Sequence, residues 1–329
     1  MKYKAFLLFA FLFGGIYLSG CTIEQTVGES SEQEKLIIYT SIFPLEDFTK
    51  KIGGEHVTVR QMIPDGGDAH TYEPSLNDMV KFSEADFIFY NGLQLEGFIE
   101  PIKDSLSKKD VEIIGIGELV LEKMYGEYEK EEGHEEENEE LGEVEEVNGD
   151  PHDDHSDIDP HIWLNPKNAM EMAKIILSEL QKAKPEAADE FRENYEDIAD
   201  NFETLDTAFK ETVDSSLNNR IVVAHAAYGY WEEAYGLEQI AVNGLSTTEE
   251  PSQKKLFDIT KLIEKEGISY IIFEQNVSSR IAKILQEEAG VEELLLSNLA
   301  TITDEDRQNG EDYFSIMSRN IETLTKALN

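Results

Sequence analysis

The chain has 329 residues, of which 69 are acidic and 28 are basic, and its formal charge at neutral pH is −41. Such a charge excludes nucleic-acid binding, which requires a basic surface that neutralises phosphates, whereas an acidic field attracts cations. A chain of this length also exceeds the usual size of one domain, so we expect two domains of about 120–150 residues each after the N-terminal segment.

Residues 1–20 are typical of a signal peptide. Two lysines precede an apolar run, residues 6–17, which is too short to span a bilayer. This run ends in Leu18-Ser19-Gly20-Cys21, which resembles a bacterial lipobox and implies cleavage before Cys21 and lipidation of that cysteine. Residues 21–34 then form a flexible tether, and we expect a lipid anchor on the extracellular face of the cell membrane. Because the sequence has no other cysteine, disulfides and thiolate metal sites are excluded.

Short apolar runs alternate with helical patterns over residues 35–183, and we predict a first α/β lobe there. Alternation of this kind indicates a parallel sheet flanked by helices. The expected strands are residues 36–39, 57–63, 86–90 and 111–116, and the expected helices are residues 43–52, 75–83, 98–106 and 166–183. Pro74 is predicted to stand in the first turn of the second helix, where proline is favourable.

An acidic segment, residues 127–157, interrupts this lobe. It holds 16 acidic residues and one lysine, and its few apolar residues follow no helical or strand period. Such a segment cannot bury enough surface to offset the entropy of ordering, so we predict that it is disordered. His134, His152 and His155 lie within it and leave two interpretations open, a loop that collects zinc with low affinity or a solvated linker.

Residues 184–215 are predicted to form a long rigid helix that links two lobes. Its apolar residues recur at three- and four-residue steps and make one continuous stripe. The second lobe is expected over residues 216–329, with strands at 221–223, 237–242, 270–273 and 293–296 and helices at 228–235, 251–266, 279–288 and 313–328. The predicted fold is therefore α/β, with two lobes that each hold a mainly parallel sheet flanked by helices.

Three histidines lie where a strand, or the loop that follows one, gives way to a helix: His70, His161 and His225. Open α/β sheets place ligands at such positions. Three imidazoles make a nitrogen-rich site that suits zinc better than manganese, magnesium or calcium. Asp159 is a candidate hydrogen-bond acceptor for the second ring nitrogen of His161. The ordinary alternatives are helix capping for His70, a surface position for His161 and core packing for His225.

The segments around these histidines resemble the zinc-uptake solute-binding lipoproteins of bacterial ABC transporters, a group that also includes manganese- and iron-binding members. The similar segments are residues 39–45, 66–75, 159–166, 224–230, 244–246, 273–280 and 312–317. The resemblance implies a cleft between the two lobes in which His70, His161 and His225 bind Zn²⁺. It also implies a monomer without catalytic activity that delivers the ion to an ABC-transporter permease.

Two features of the sequence bear on the choice of metal within this family. An acidic insert with histidines is typical of zinc-specific members, and His225 stands where manganese-binding members have a carboxylate. Many relatives also carry an acidic fourth ligand in the loop before the last helix, and an ungapped alignment places Ala300 there. Alanine has no ligand atom, so the fourth position falls to water, to Glu274 or to Asp304, in that order of preference.

Three other functions stay open at this point. A manganese or iron carrier would use more oxygen ligands, such as Glu274 and Asp304 together. A secreted zinc hydrolase would use three histidines and a water with Glu73 as the base, but the sequence contains no HExxH motif. An adhesin on the cell surface would be compatible with zinc transport.

Overall fold

The computed structural model describes residues 35–131, 158–247, 251–275 and 279–329. The expected signal peptide, Cys21 and the tether lie outside these residues, as do the loop histidines His134, His152 and His155. Among the helices in the described ranges, none combines the length and the apolar composition that crossing a membrane requires.

The first half of the chain forms a four-stranded parallel sheet. Its strands are β1 (Leu36–Thr40), β2 (Val57–Gln61), β3 (Phe87–Tyr90) and β4 (Glu112–Gly115), in the spatial order β2-β1-β3-β4. The helices α1 (Phe43–Gly53), α2 (Leu76–Phe82) and α3 (Ile99–Leu106) connect them. All four residues of β3 are buried, as a strand covered on both faces requires. The strand and helix predictions for this half are confirmed to within a few residues at each end.

Two local predictions in this half are wrong. Ser75 is the N-cap of α2 and forms a capping box with Asp78, so Pro74 precedes the helix instead of standing in its first turn. A helix that was not predicted, α4 (Ile116–Glu131), follows β4 and includes residues 127–131 of the segment predicted to be disordered. Ile116 and Val120 are buried in the core, so α4 has a packed face despite its acidic continuation.

A long helix connects the two halves of the fold. After α5 (Pro166–Ala183), the turn Pro185–Ala187 is a 3₁₀ helix, and α6 (Ala188–Ser215) then runs for 28 residues. Its buried residues form one stripe, as predicted: Phe191, Ile198, Phe202, Leu205, Phe209 and Val213. This helix packs against α1 and α5, and also against α7 (Gly229–Tyr235) and α11 (Tyr313–Ala327) of the second half. The lobe boundaries at residues 184 and 216 stay a prediction, because the described residues pack as one unit.

The second half repeats the parallel architecture. Its strands are β5 (Arg220–Val223), β6 (Glu238–Ala241), β7 (Tyr270–Glu274) and β8 (Glu292–Leu296), in the order β6-β5-β7-β8. The helices α8 (Gln253–Glu266) and α9 (Arg280–Ala289) were predicted, whereas the six-residue α10 (Asp304–Asn309) was not. Thr303 caps α10 by accepting a hydrogen bond from Asp306 N. The predicted class, two parallel sheets flanked by helices, is confirmed.

Buried aromatic side chains join the two halves next to the segment that carries His161. Trp163 Nε1 donates to the carbonyl of Asn298 at 2.6 Å, and Tyr313 Oη donates to the carbonyl of Trp163 at 2.8 Å. Trp231 Nε1 donates to the carbonyl of Leu164 at 2.7 Å. Because the donors are buried, each of these bonds is costly to break, and the segment is held at a fixed place between the sheets.

Candidate metal centre

The structure brings His70, His161 and His225 together from three loops. One ring nitrogen from each lies within 4.8 Å of the other two. The Nε2 atoms of His70 and His161 are 3.3 Å apart, and the ring centroids of His161 and His225 are 4.9 Å apart. Two nitrogens bound at about 2.0–2.1 Å to one tetrahedral zinc ion lie about 3.3 Å from each other. The spacing of the first two imidazoles therefore already matches a shared zinc ion.

His70 lies in the loop between β2 and α2, and it is the least buried of the three histidines. Gly66 adopts a φ of 72°, which favours glycine, and its N–H donates to the carbonyl of Ile302 at 2.9 Å. Asp68 then accepts a hydrogen bond from the backbone N–H of His70 at 2.9 Å and another from Thr247 Oγ1 at 2.8 Å. The Asp68 carboxylate thus fixes the turn that presents His70 and ties it to a loop of the second half.

His161 is the N-cap of a 3₁₀ turn, Ile162–Leu164, and its side chain is fully buried. Asp159 Oδ1 lies 2.7 Å from His161 Nδ1 and also accepts the His161 backbone N–H at 2.9 Å. An ionised carboxylate only accepts, so Nδ1 carries the hydrogen and Nε2 keeps its lone pair for a metal. Asn91 Nδ2 donates to the carbonyl of Pro160 at 2.9 Å and holds the backbone of this segment.

His225 follows the carboxyl end of β5, beside the end of the neighbouring strand β7. Its Nδ1 lies 2.8 Å from Oε1 of Glu274, the last residue of β7, and its Nε2 lies 3.0 Å from the carbonyl oxygen of Leu245. The other oxygen of Glu274 accepts from Asn298 Nδ2 at 2.8 Å. The buried carboxylate of Glu274 therefore supports the imidazole of His225 from behind, as Asp159 supports that of His161.

The protonation of the three imidazoles differs because their surroundings differ. Burial, together with the two neighbouring imidazoles, lowers the pKa of His70 to about 4. Burial also lowers the pKa of His161, despite the opposing effect of Asp159. Burial alone would lower the pKa of His225 as well, but the Glu274 carboxylate outweighs it and the pKa is raised. Two of the rings are thus neutral and ready to bind a metal at neutral pH, and His225 is the ring that holds a proton more tightly.

The candidates for a fourth ligand occupy different places. Within the described residues, neither Glu274 nor Asp304 belongs to the cluster of ligand atoms that all lie within 4.8 Å of one another. The two oxygens of Glu274 contact His225 and Asn298, and Asp304 is exposed in the first turn of α10. The side chain of Ala300 has no ligand atom, and its backbone N–H donates to Asn298 Oδ1 at 3.0 Å. Glu73, the candidate base of a hydrolase, is exposed.

The supporting roles of Asp68, beside His70, and of Glu274, beside His225, were not predicted from the sequence. A signal for the first was present, because both Asp68 and Asp159 stand two residues before a histidine. In both cases the carboxylate accepts the backbone N–H of that histidine at 2.9 Å. The contact of Glu274 with His225 spans 49 residues of sequence, and no local pattern indicates it.

Comparison with known proteins finds relatives over most of the chain. Residues 38–327 match the ZnuA family, described as zinc-uptake complex component A, periplasmic. The zinc-binding lipoprotein AdcA of Streptococcus pneumoniae is 33% identical over 296 residues, which cover 88% of this chain and 55% of AdcA. The high-affinity zinc uptake system protein ZnuA of Bacillus subtilis is 27% identical over 314 residues, which cover 95% of this chain and 94% of that protein.

A solved structure extends the likeness to three dimensions. The Zn(II)-bound ZnuA-like domain of Streptococcus pneumoniae AdcA superposes with a TM-score of 0.69 at 31% identity, and the match covers 89% of this chain and 99% of that domain. The chain therefore spans about half the length of AdcA, and within AdcA it corresponds to the ZnuA-like domain.

Proposed function

Because the chain belongs to the ZnuA family of zinc-uptake components, we propose that it captures zinc outside the cell and delivers it to the membrane permease of an ABC importer. The observation that carries this proposal is the convergence of three imidazoles, with the Nε2 atoms of His70 and His161 3.3 Å apart. The names of its relatives, a zinc-binding lipoprotein and a high-affinity zinc uptake protein, support zinc as the cargo.

The unequal burial of the three histidines suggests an order of capture. His161 and His225 are almost completely buried and are held by Asp159 and Glu274, so they form the fixed part of the site. His70 is less buried and lies on a loop, so we propose that it is the ligand that zinc meets first from solvent. A site that is mostly organised before the metal arrives loses little conformational entropy on binding.

Zinc is favoured over manganese because the converging atoms are nitrogens. Imidazole suits zinc, whereas manganese prefers carboxylate, carbonyl and water oxygens. A manganese site would need Glu274 as a ligand. Both carboxylate oxygens of Glu274 instead form hydrogen bonds, one with His225 and the other with Asn298. We therefore propose that Glu274 is a positioning residue and that water completes a tetrahedral site.

We further propose that the protein binds and releases zinc without chemical turnover. The carboxylates near the histidines serve to orient them: Asp68 bonds the His70 backbone, Asp159 bonds His161, and Glu274 bonds His225. Each of these carboxylates therefore forms hydrogen bonds with a metal-binding histidine, and we propose that none of them acts as a base toward a metal-bound water. A lipid anchor at Cys21 on the extracellular face of the membrane and a monomeric state complete the proposal.

Calorimetric titration of the purified protein with zinc and with manganese tests this function. We expect one tight zinc site and at least a hundredfold weaker manganese binding, a difference of about 2.7 kcal/mol. A His70→Ala variant, whose changed side chain is not in the buried core, should lose most of the zinc affinity and keep the fold. Equal affinity for the two metals, or tight zinc binding that survives the combined replacement of His70, His161 and His225 by alanine, would overturn the assignment.

A further inference from the structure

A second group of metal-binding side chains lies at the end of α1, apart from the three-histidine site. Glu55, His56 and Glu190 each place one ligand atom within 4.8 Å of the other two. His56 Nε2 and Glu190 Oε2 are 2.9 Å apart. The first two residues are adjacent in sequence, and the third comes from the N-terminal part of α6, so tertiary packing assembles the group.

The backbone that presents Glu55 and His56 is a tight turn held against α6. Gly54 has a φ of 52° where α1 ends, and the 3₁₀ turn Gly54–His56 leads directly into β2. A β-carbon at Gly54 would lie 3.3 Å from Asn194 Nδ2, so the helix passes close to the turn. Asn194 Nδ2 also donates to the carbonyl of Ile52 at 3.0 Å, which fixes the helix on the turn that carries the two ligands.

The imidazole of His56 is held in a defined position. Its exposure is 8%, and its ring packs edge-on against Phe191 with a centroid distance of 5.4 Å. Its Nε2 faces Glu190, whose side chain is 48% exposed. Glu55 is exposed as well. One ligand is therefore rigid and buried, whereas the two carboxylates are accessible to an ion that arrives from solvent.

The charges around this group also favour a cation. Among the described residues, neither Glu190 nor Glu55 forms an ion pair with a lysine or an arginine, and Glu190 contacts the imidazole of His56. The nearest arginine along α6, Arg192, pairs with Asp189 at 2.9 Å. Two carboxylates without a lysine or arginine partner thus keep a negative charge, which attracts cations.

We propose that Glu55, His56 and Glu190 form a second divalent-cation site, for zinc or a metal of similar ligand preference, where the turn after α1 meets α6. One imidazole nitrogen and two carboxylate oxygens are a common zinc donor set, and water would supply the remaining ligand. Across a tetrahedral zinc ion the nitrogen and oxygen lie about 3.3 Å apart, so the 2.9 Å pair must open by about 0.4 Å. The exposed side chain of Glu190 can make this movement. The site is independent of zinc transport, and its exposure makes it weaker than the buried three-histidine site.

The experiment compares the number of zinc equivalents bound by matched variants of the full chain. His134, His152 and His155 are replaced by alanine in every sample, so that these imidazoles contribute nothing. Zinc titration is followed by calorimetry and by equilibrium dialysis. We expect His56→Gln and Glu190→Gln each to bind one zinc equivalent fewer than the parent, or to bind that equivalent at least tenfold more weakly. Glu193→Gln removes the same charge from an exposed position on the same helix and should bind as many equivalents as the parent.

The number of zinc ions bound per protein separates this site from the three-histidine site. Only a zinc ion bound at the proposed second site should be lost when residue 56 or residue 190 is replaced. Thermal unfolding of each variant without zinc shows whether the fold is kept. If His56→Gln is destabilised, Glu190→Gln decides, since the side chain of Glu190 is half exposed. In zinc-soaked crystals an anomalous peak between His56 Nε2 and Glu190 would support the proposal. Equal stoichiometry and affinity in Glu190→Gln and Glu193→Gln would overturn it.

Discussion

The carboxylate of Asp159 packs against the backbone of Gly229. A β-carbon at position 229 would lie 2.5 Å from Asp159 Oδ2, which is too close for a side chain. Gly229 is the first residue of α7, in the second half of the chain, and Asp159 holds the imidazole of His161 in the first. The carboxylate that orients one candidate ligand thus has room only because glycine occupies a position 70 residues away.

We predict that Gly229→Ala weakens zinc binding without direct contact with the metal. The added methyl group displaces Asp159, and the loss of a carboxylate that orients a metal-binding histidine typically costs about 10–100-fold in affinity. Gly97→Ala is the matched control, because a β-carbon at Gly97 would meet nothing within 4 Å. The measurement is competitive zinc titration against a chromophoric chelator. Identical affinities of the two variants would contradict the role assigned to Asp159.

The second prediction concerns the proton that zinc displaces. Although burial opposes it, the Glu274 carboxylate raises the pKa of His225, whereas burial lowers the pKa of His70 to about 4 and also lowers that of His161. Zinc requires a neutral ring, so its binding at pH 6.5 should release a measurable number of protons, mostly from His225, and zinc affinity should fall as the pH decreases through the pKa of His225. Calorimetry in buffers of different ionisation enthalpy measures this number.

The variant Glu274→Gln tests the source of that proton. It removes the charge that raises the pKa of His225 but keeps an oxygen that can accept from Nδ1. We expect clearly fewer protons released per zinc at pH 6.5. Glu73→Gln, which removes an exposed charge near His70 in sequence, should release as many as the parent protein. An unchanged release in Glu274→Gln would show that the proton comes from another group.

The third prediction concerns Glu96, a buried carboxylate that accepts hydrogen bonds from Ser41 Oγ at 2.5 Å and from the backbone N–H groups of Asn91 at 2.8 Å and Gly92 at 2.9 Å. In Glu96→Gln the amide NH₂ would face one of these donors, which leaves a buried group unsatisfied and costs about 1–3 kcal/mol of unfolding free energy. Asn91 also holds the carbonyl of Pro160, next to His161, so zinc affinity should fall too.

Denaturant unfolding measures the stability part of this prediction. Glu100→Gln is the control, because Glu100 is exposed and pairs only with Lys103 among the described residues. Its effect should stay within about 0.5 kcal/mol, as for most surface substitutions. If Glu96→Gln were equally mild, the carboxylate would not be needed to organise the turn after β3.

The fourth prediction concerns Arg307 on α10, which joins the two halves beside the His70 loop. Its guanidinium donates to Glu46 Oε2 at 2.9 Å, to Asp65 Oδ1 at 2.7 Å and to Gln61 Oε1 at 2.9 Å. Because Glu46 is only 4% exposed, Arg307→Met should cost about 1–3 kcal/mol of unfolding free energy.

Arg192→Met is the matched comparison, since Arg192 pairs on the surface with the exposed Asp189. We expect a change below about 0.5 kcal/mol there, in line with other exposed ion pairs. Thermal unfolding of both variants gives the difference. Equal destabilisation would mean that the contact of Arg307 with Glu46 adds nothing beyond a surface ion pair.

The elements that the sequence predicted well are those with a strong local period. The strands around Ile38, Ile88 and Val222 are short apolar runs, and these residues are fully buried in the structure. Helix α4 was missed because its packed residues, Ile116 and Val120, are few and its continuation is acidic. Helix α10 was missed because its six residues contain no apolar stripe, and a cap and the ion pair of Asp306 with Arg319 contribute to its stability instead.

The sequence by itself determined that two parallel sheets form, that His70 and His225 follow strands of these sheets and that His161 precedes a helical turn, because apolar period and residue type are local properties. Only the tertiary structure decided which ring nitrogens face one another, that Glu274 lies behind His225, and that His56 meets Glu190. These relationships join residues that are 49 and 134 positions apart. Hydrogen bonds and metal coordination depend on distances of a few tenths of an ångström, and those distances are set by how the helices and strands pack.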